Sequence, residues 1–230
     1  MVIPFRMRYT DLIIRQDSAY EDARMEKKSR VATRKYQGIL DAATDLFLEQ
    51  GYQEASISKL LSRFGGSRET IYRHFRSKED LFAAVLDHQL RDYLEFMLSL
   101  DIQSDDLKQG LSEWSNALMS IVTSERYVRL RRLVISEVTN RPVLGQIYFD
   151  HTYMKGTAAI TEFLRQQQQK GRLKPINCIR MTSYLVGMML YEIMHQRIMN
   201  IMPEPTKKQV YDHTEQVLND FISLFGVKQI

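Results

Sequence analysis

The stretch SISKLLSRFGGSRETIYRHFRSK, residues Ser56 to Lys78, decides how this chain is read. Ile57, Leu60, Leu61 and Phe64 fall at i, i+3, i+4 and i+7. That spacing places them on one face of a helix. Ser56 stands where a hydroxyl can accept from a free backbone N–H of the first turn. Gly65-Gly66 stops the helix, because glycine takes the left-handed conformation without steric cost. Ser67 then caps a second helix, whose inward residues are Ile71 and Phe75.

The outward residues of that second helix are Arg68, Glu69, Thr70, Tyr72, Arg73 and His74. Two short helices joined by a glycine turn, the second bearing exposed donors, form a helix-turn-helix. In such a unit the second helix enters the DNA major groove. The pattern alone fits a structural corner with a solvated face equally well.

The order of residues goes further. Gly51-Tyr52, Ser56-Ile57, Gly65, Ser67, Thr70-Ile71-Tyr72, His74-Phe75, Lys78 and Leu81 together resemble, without a gap, the DNA-binding domain of TetR/AcrR-family transcriptional regulators. Residues from about Thr33 to Leu86 carry the resemblance. It implies that Ser56, Ser67, Tyr72, His74 and Lys78 hold DNA phosphates, contacts that fix register without reading sequence. Arg68, Glu69, Thr70 and Arg73 are then the expected base readers, with Ser58 assisting. Arg forks onto guanine, Glu accepts from cytosine, and a Thr methyl touches thymine. The chain departs from the family pattern at three positions. Leu61 and Phe64 replace the usual alanines, and Gly66 replaces the usual valine, which predicts compensated repacking and a looser turn.

Composition agrees with this reading. The chain has 230 residues, 44% hydrophobic and 26% charged, enough for a small domain plus a larger one. The single cysteine, Cys178, excludes an internal disulfide and suits a reducing cytoplasm. The apolar run from Met181 to Met194 is interrupted by Glu192 and closed by His195 and Arg197, short of a membrane span. Net charge is only +4, but basic residues cluster. Lys27, Lys28, Arg30, Arg34 and Lys35 precede the first helix, and Arg63, Arg68, Arg73, Arg76 and Lys78 surround the helix-turn-helix. Lys and Arg beside a phosphate track supply the sequence-independent part of DNA affinity. The five histidines are scattered, with no HExxH, Cys/His pair or Gly-rich phosphate loop. No catalytic residue, metal site or cofactor is therefore expected.

The expected fold is all-α, a three-helix DNA-binding domain over 30–80 followed by a helical ligand-binding and dimerisation domain over 81–230. Residues 1–29 read as a flexible extension, with Met7 or Met25 as an alternative translation start and Lys27 to Arg34 as a basic arm. Helix one, from Thr33 to Gln50, buries Ile39, Leu40, Ala43, Leu46 and Phe47 and ends at Gly51. Ser77 caps a long fourth helix running to Ser99. Further helices are expected near Leu107–Val122, Glu125–Thr139 and Pro142–Phe149, then a long one ending at Gly171, and two more from Cys178 to Asn200 and Thr206 to Phe225.

Leu130 to Asp150, followed by a helix ending QQQQKGRLKP, is similar to the AefR-type branch of the same family. The resemblance implies a homodimer on double-stranded DNA with a small lipophilic or amphipathic effector. Candidate pocket residues are Tyr93, Met97, Trp114, Leu118, Met119 and Tyr127, with Tyr153, Met154, Met188 and Tyr191. Arg131, Glu137 and Glu192 are polar groups near them. Each of the apolar residues serves equally as core, since cores and apolar pockets use the same residue types. Dimerisation is expected to use the last two long helices, with Ile179, Ser183, Val186, Gly187, Leu190 and Met194 at helical spacing on the first. The wide apolar arc of Val217, Leu218, Phe221, Ile222, Leu224 and Phe225 on the second needs covering by its own domain or by a twin. A DNA-binding protein of the same fold without small-molecule control, acting on DNA architecture or cell division, is the alternative.

Overall fold

The computed structural model describes residues 33–100, 102 and 104–227. The readings of residues 1–29, and of Lys27, Lys28 and Arg30 as a basic arm, lie outside them. The described residues form helices joined by short turns and loops, with one isolated antiparallel bridge between Leu173 and Gly226.

Helix α1 spans 33–54, with Gly51 turning left-handed at φ 76° so that a last turn carries Tyr52 into the core. Its apolar face (Ile39, Leu40, Ala43, Leu46, Phe47) is buried against α2, Ile57–Phe64, and α3, Arg68–His74. Ser56 caps α2 through the Lys59 amide, and Ser67 caps α3 through the Thr70 amide, at 3.2 Å each. Each cap is worth about 1 kcal/mol. Ile71 and Phe75 are buried and fix the roll of α3. Its remaining residues are thereby turned outward.

The departures at Phe64 and Gly66 both have structural answers. A Cβ on Gly38 would stand 2.7 Å from Cε2 of Phe64, so the enlarged ring is accommodated by a glycine on α1. Gly65 and Gly66 have φ of 79° and 88°, so the turn uses two consecutive left-handed residues. Valine would be strained at the second.

Helix α4, Lys78–Ser99, starts on the Ser77 cap and joins the two parts of the molecule. Leu81 and Phe82 enter the DNA-binding core, and Leu90, Tyr93 and Met97 enter the larger one. The C-terminal domain continues with α5, Leu107–Val122, α6, Glu125–Glu137, and α7, Pro142–Phe149. Then come α8, Ala158–Gln169, α9, Cys178–Ile198, and α10, Lys207–Phe225. The long helix expected to end at Gly171 is instead broken. A π-helix occupies Asp150–Lys155, Gly156 and Thr157 form a turn, and α8 follows. Threonine hydroxyls that bond carbonyls four residues back, at Thr152 and Thr157, accompany the wider winding. Helix α10 packs on α5 and α8 on α9. Val217, Leu218 and Phe221 are consequently buried within the protomer, so this part of the apolar arc is covered by its own domain and not by a twin.

Candidate DNA interface and effector cavity

On α3 the outward side chains form a connected polar surface. Arg68 donates to the Ser58 hydroxyl at 2.7 Å, tying the reading helix to α2. Arg73 donates to Glu69 at 3.1 Å, one turn back along the helix. Such exposed pairs are weak and exchange readily for stronger partners. Thr70 and Ser67 share a hydroxyl contact at 3.1 Å. Tyr72 is 51% exposed, and His74 sets its ring edge-on to Tyr36 at 5.6 Å. Tyr36 of α1, itself half-buried, also stacks on Phe75, a contact that the sequence reading did not single out. Ser56, Ser58, Ser67, Arg68, Glu69, Arg73 and His74 are all exposed, and Thr70 is half-buried. Arg63 is paired with Glu49 of α1, so this cation is partly neutralised within the protein.

Lys78 is placed differently from its neighbours. Its ammonium lies 4.2 Å from the centroid of the Tyr52 ring and donates to the Gln53 carbonyl at 3.2 Å. Burial pushes its pKa down. The same ring carries the guanidinium of Arg141 at 4.0 Å. The Tyr52 hydroxyl donates to Glu79 at 2.7 Å. That hydrogen bond, with backbone, Ser77 and Arg141 contacts, holds the Glu79 carboxyl at about 2. Burial and the Glu79 acceptor raise the Tyr52 phenol to about 12. Arg141 also pairs with Glu79 at 3.5 Å and with the buried Glu137, which accepts from Gln53 at 3.3 Å. Arg141 was legible in the sequence only as part of a helix break. It is the N-cap residue of α7, and it clasps the DNA-binding unit.

Along the chain from Arg141, α7 and the π-helix reach a cavity of about 230 Å³ inside the C-terminal domain. Of the candidate pocket residues, Tyr93, Leu118, Tyr127 and Tyr153 line it. Val122, Arg131, Tyr148, Phe149, Thr152, Thr157, Val186 and Leu190 complete the wall. The other candidates lie elsewhere. Met97, Trp114 and Met119 are packed in the core, and Met188 is half-buried against it. Met154 and Tyr191 are 60% and 73% exposed. Methionine-rich composition therefore reflects core filling, and aromatic residues make the cavity. Val186 and Leu190, expected at a dimer face, point to the cavity instead. The Tyr127 and Tyr148 hydroxyls are hydrogen-bonded at 2.7 Å, and burial raises both phenols. Glu137 and Glu192 do not reach the cavity wall. Among the described residues no group of three or more His, Cys, Asp or Glu is placed to hold a metal ion, and no helix is long and apolar enough to cross a membrane.

Residues 109–227, more than half of the chain, match the family described as AefR-like transcriptional repressor, C-terminal domain. Residues 39–85 match bacterial regulatory proteins of the tetR family. This chain belongs to the AefR-like TetR-family regulators. It is a DNA-binding regulator of transcription. It is 26% identical over 162 residues to the transcriptional repressor ComR of Escherichia coli, covering 68% of this chain and 77% of that one. A TetR-family regulator from Mesorhizobium loti superposes with a TM-score of 0.77 at 25% identity, over 85% of this chain and 98% of the other. FadR of Bacillus subtilis, solved with stearoyl-CoA, shares the fold at a TM-score of 0.63 and 20% identity, over 82% and 98% of the two chains.

Proposed function

We propose that two copies of this regulator bind a near-palindromic operator and repress transcription until a small lipophilic or amphipathic effector enters the cavity. The observation that carries the reading is the continuity between cavity and DNA-binding unit. Tyr148, Phe149, Thr152 and Tyr153 line the cavity, and Arg141, at the other end of the same segment, clasps Tyr52 and Glu79. An effector that fits a different setting of α7 shifts the population away from the DNA-bound form by its differential affinity.

In this reading Arg68, Glu69, Thr70 and Arg73, with Ser58, meet base edges, and Ser56, Ser67, Tyr72 and His74 meet phosphates. Lys78 meets a phosphate only by leaving the Tyr52 ring, which joins DNA contact to the state of the clasp. A twofold dimer mirrors the operator's symmetry. Its face is the exposed stripe Tyr184, Gly187 and Tyr191 of α9, with Ile179 beside it and Leu224 of α10. The work is binding rather than catalysis, at the chromosome in the cytoplasm.

The test is footprinting on the gene's own upstream DNA at two salt concentrations, with Arg73→Ala alongside. A protected near-palindrome, with Arg73→Ala losing about 1–3 kcal/mol and relaxing one operator position, supports the reading. Equal losses on specific and random DNA remove Arg73 from the base readers. Binding everywhere with steep salt loss replaces the operator-bound repressor with a DNA-packaging role.

A further inference from the structure

The effector cavity contains one formal charge. Arg131 of α6 is in its wall, and no Asp or Glu accompanies it there. Among the described residues Arg131 has no ion-pair or hydrogen-bond partner, although its neighbours on α6 do. Arg129 is paired with Glu125, and Arg132 donates to the Ile198 carbonyl. A guanidinium half-withdrawn from water into an aromatic wall favours an anion as partner. Around it stand Tyr93, Tyr127, Tyr148 and Phe149, so the body of the ligand meets ring faces and edges. The Tyr93 hydroxyl also has no hydrogen-bond partner among the described residues, and it lies at the cavity near Gly156.

Size narrows the class. The cavity is about 230 Å³, below the ~300–1,000 Å³ of pockets for drug-sized ligands and above the ~150 Å³ engineered cavity that holds benzene. One substituted ring fits this volume.

We propose that the cavity is a site for a small aromatic carboxylate, with its ring among the tyrosines and its carboxylate on the Arg131 guanidinium. The proposal rests on the effector reading above and adds the chemical class and the residue that selects it. Carboxylate geometry matches the guanidinium fork in two parallel hydrogen bonds. The Tyr93 hydroxyl donates to a second polar group of the ligand. The Tyr127–Tyr148 hydroxyl bond uses the proton of one partner, so the other hydroxyl keeps a donor of its own.

The experiment is calorimetric titration of the full-length protein with benzoate, 4-hydroxybenzoate and cinnamate, and with the amide of each. Wild type, Arg131→Gln and Arg131→Lys are compared after their helical spectra and melting curves are matched. At least one acid is expected to bind roughly tenfold or more tighter than its amide, the range for a hydrogen bond to a charged group. Arg131→Gln is expected to abolish that preference and Arg131→Lys to restore part of it. Amides binding as well as acids, or no binding of any member, overturns the proposal. Phenyl phosphate is titrated as well, and its binding more tightly than the acids overturns the carboxylate assignment. Operator release, measured in parallel, separates the two readings. Amides that bind and release DNA as the acids do leave the effector reading standing without the anion. An Arg131-dependent acid preference with no effect on DNA supports the site and removes its regulatory role.

Discussion

The guanidinium of Arg141 lies 4.0 Å from the centroid of the Tyr52 ring, and so joins the first turn of α7 to the last turn of α1. Those two residues are 89 positions apart, and between them they bring Glu79, Glu137, Gln53 and Lys78 into one polar cluster. The cluster is one of the places where the DNA-binding unit and the regulatory domain hold each other, beside the shared α4 and the Arg126–Asp45 pair.

Arg141→Gln removes the cation from the ring and leaves the buried Glu137 carboxylate with Gln53 alone. Breaking one side of a largely buried pair costs about 3 kcal/mol. Urea unfolding is the measurement. Adding Glu137→Gln to Arg141→Gln is expected to recover a large part of the loss, because no charge is then left buried. A single-variant loss under about 0.5 kcal/mol, the level of an unremarkable surface change, shows that the pair does not hold the domains together.

The Tyr52 hydroxyl makes the acid limb of stability its own signature. Glu79 is held at about 2 in the folded protein, first by that hydroxyl, against an ordinary value near 4.5. Its stabilising contribution is therefore complete above pH ~4.5 and is lost as the pH falls toward ~2. Tyr52→Phe is expected to be less stable than wild type at pH 7, with the gap narrowing below pH 4. Denaturant midpoints at pH 7, 4 and 3 check this, and a gap that is constant with pH excludes the Tyr52–Glu79 bond as its origin.

Gly38 and Phe64 form a lock whose sign can be reversed. In wild type, Gly38→Ala forces a methyl into the Phe64 ring, an overpacking that costs about 1–3 kcal/mol. In a Phe64→Leu background the clash is relieved, and the helix preference of alanine over glycine contributes about 1 kcal/mol in its favour. The same substitution should thus destabilise one background and stabilise the other. Thermal melts of the four proteins settle it, and equal effects in both backgrounds reject the contact.

Gly187 offers a clean test of the dimer face. A Cβ there meets nothing within 4 Å of its own chain, and Tyr184 and Tyr191 flank it on the exposed stripe of α9. Gly187→Arg should leave the protomer folded while converting a dimer to a monomer in sedimentation velocity, with loss of operator affinity. An unchanged dimer places the interface elsewhere.

The DNA-binding half was largely legible because its signals are local. Caps at Ser56, Ser67 and Ser77, the glycine turn and the i, i+4 spacing of Ile71 and Phe75 each act within a few residues, and all three caps form. The cavity was half legible. Tyr93, Leu118, Tyr127 and Tyr153 belong to it, while Met97 and Trp114 share their composition and sit in the core. Periodicity gives each helix an apolar arc and does not say whether that arc meets side chains or a void. The π-helix was invisible for a related reason. Its wider winding over Asp150–Lys155 carries no distinct hydrophobic spacing in so short a segment, so the segment read as the start of the long helix ending at Gly171. Arg141 was missed because its partners lie 62 and 89 residues away.

The eight residues of α7 have a consequence for how such a regulator acquires new responses. A helix of this length is about 12 Å long and close to rigid. One end carries cavity residues, and the other carries the Arg141 clasp. Under the proposed function, recognition and transmission are separable by position along α7 and the π-helix that follows it. Substitutions at Tyr148, Phe149, Thr152 or Tyr153 are then expected to change what is sensed while the Arg141 contacts that report it stay the same. A biosensor built on this scaffold can be retuned from that end of the segment, provided that Arg141, Tyr52 and Glu79 are left untouched.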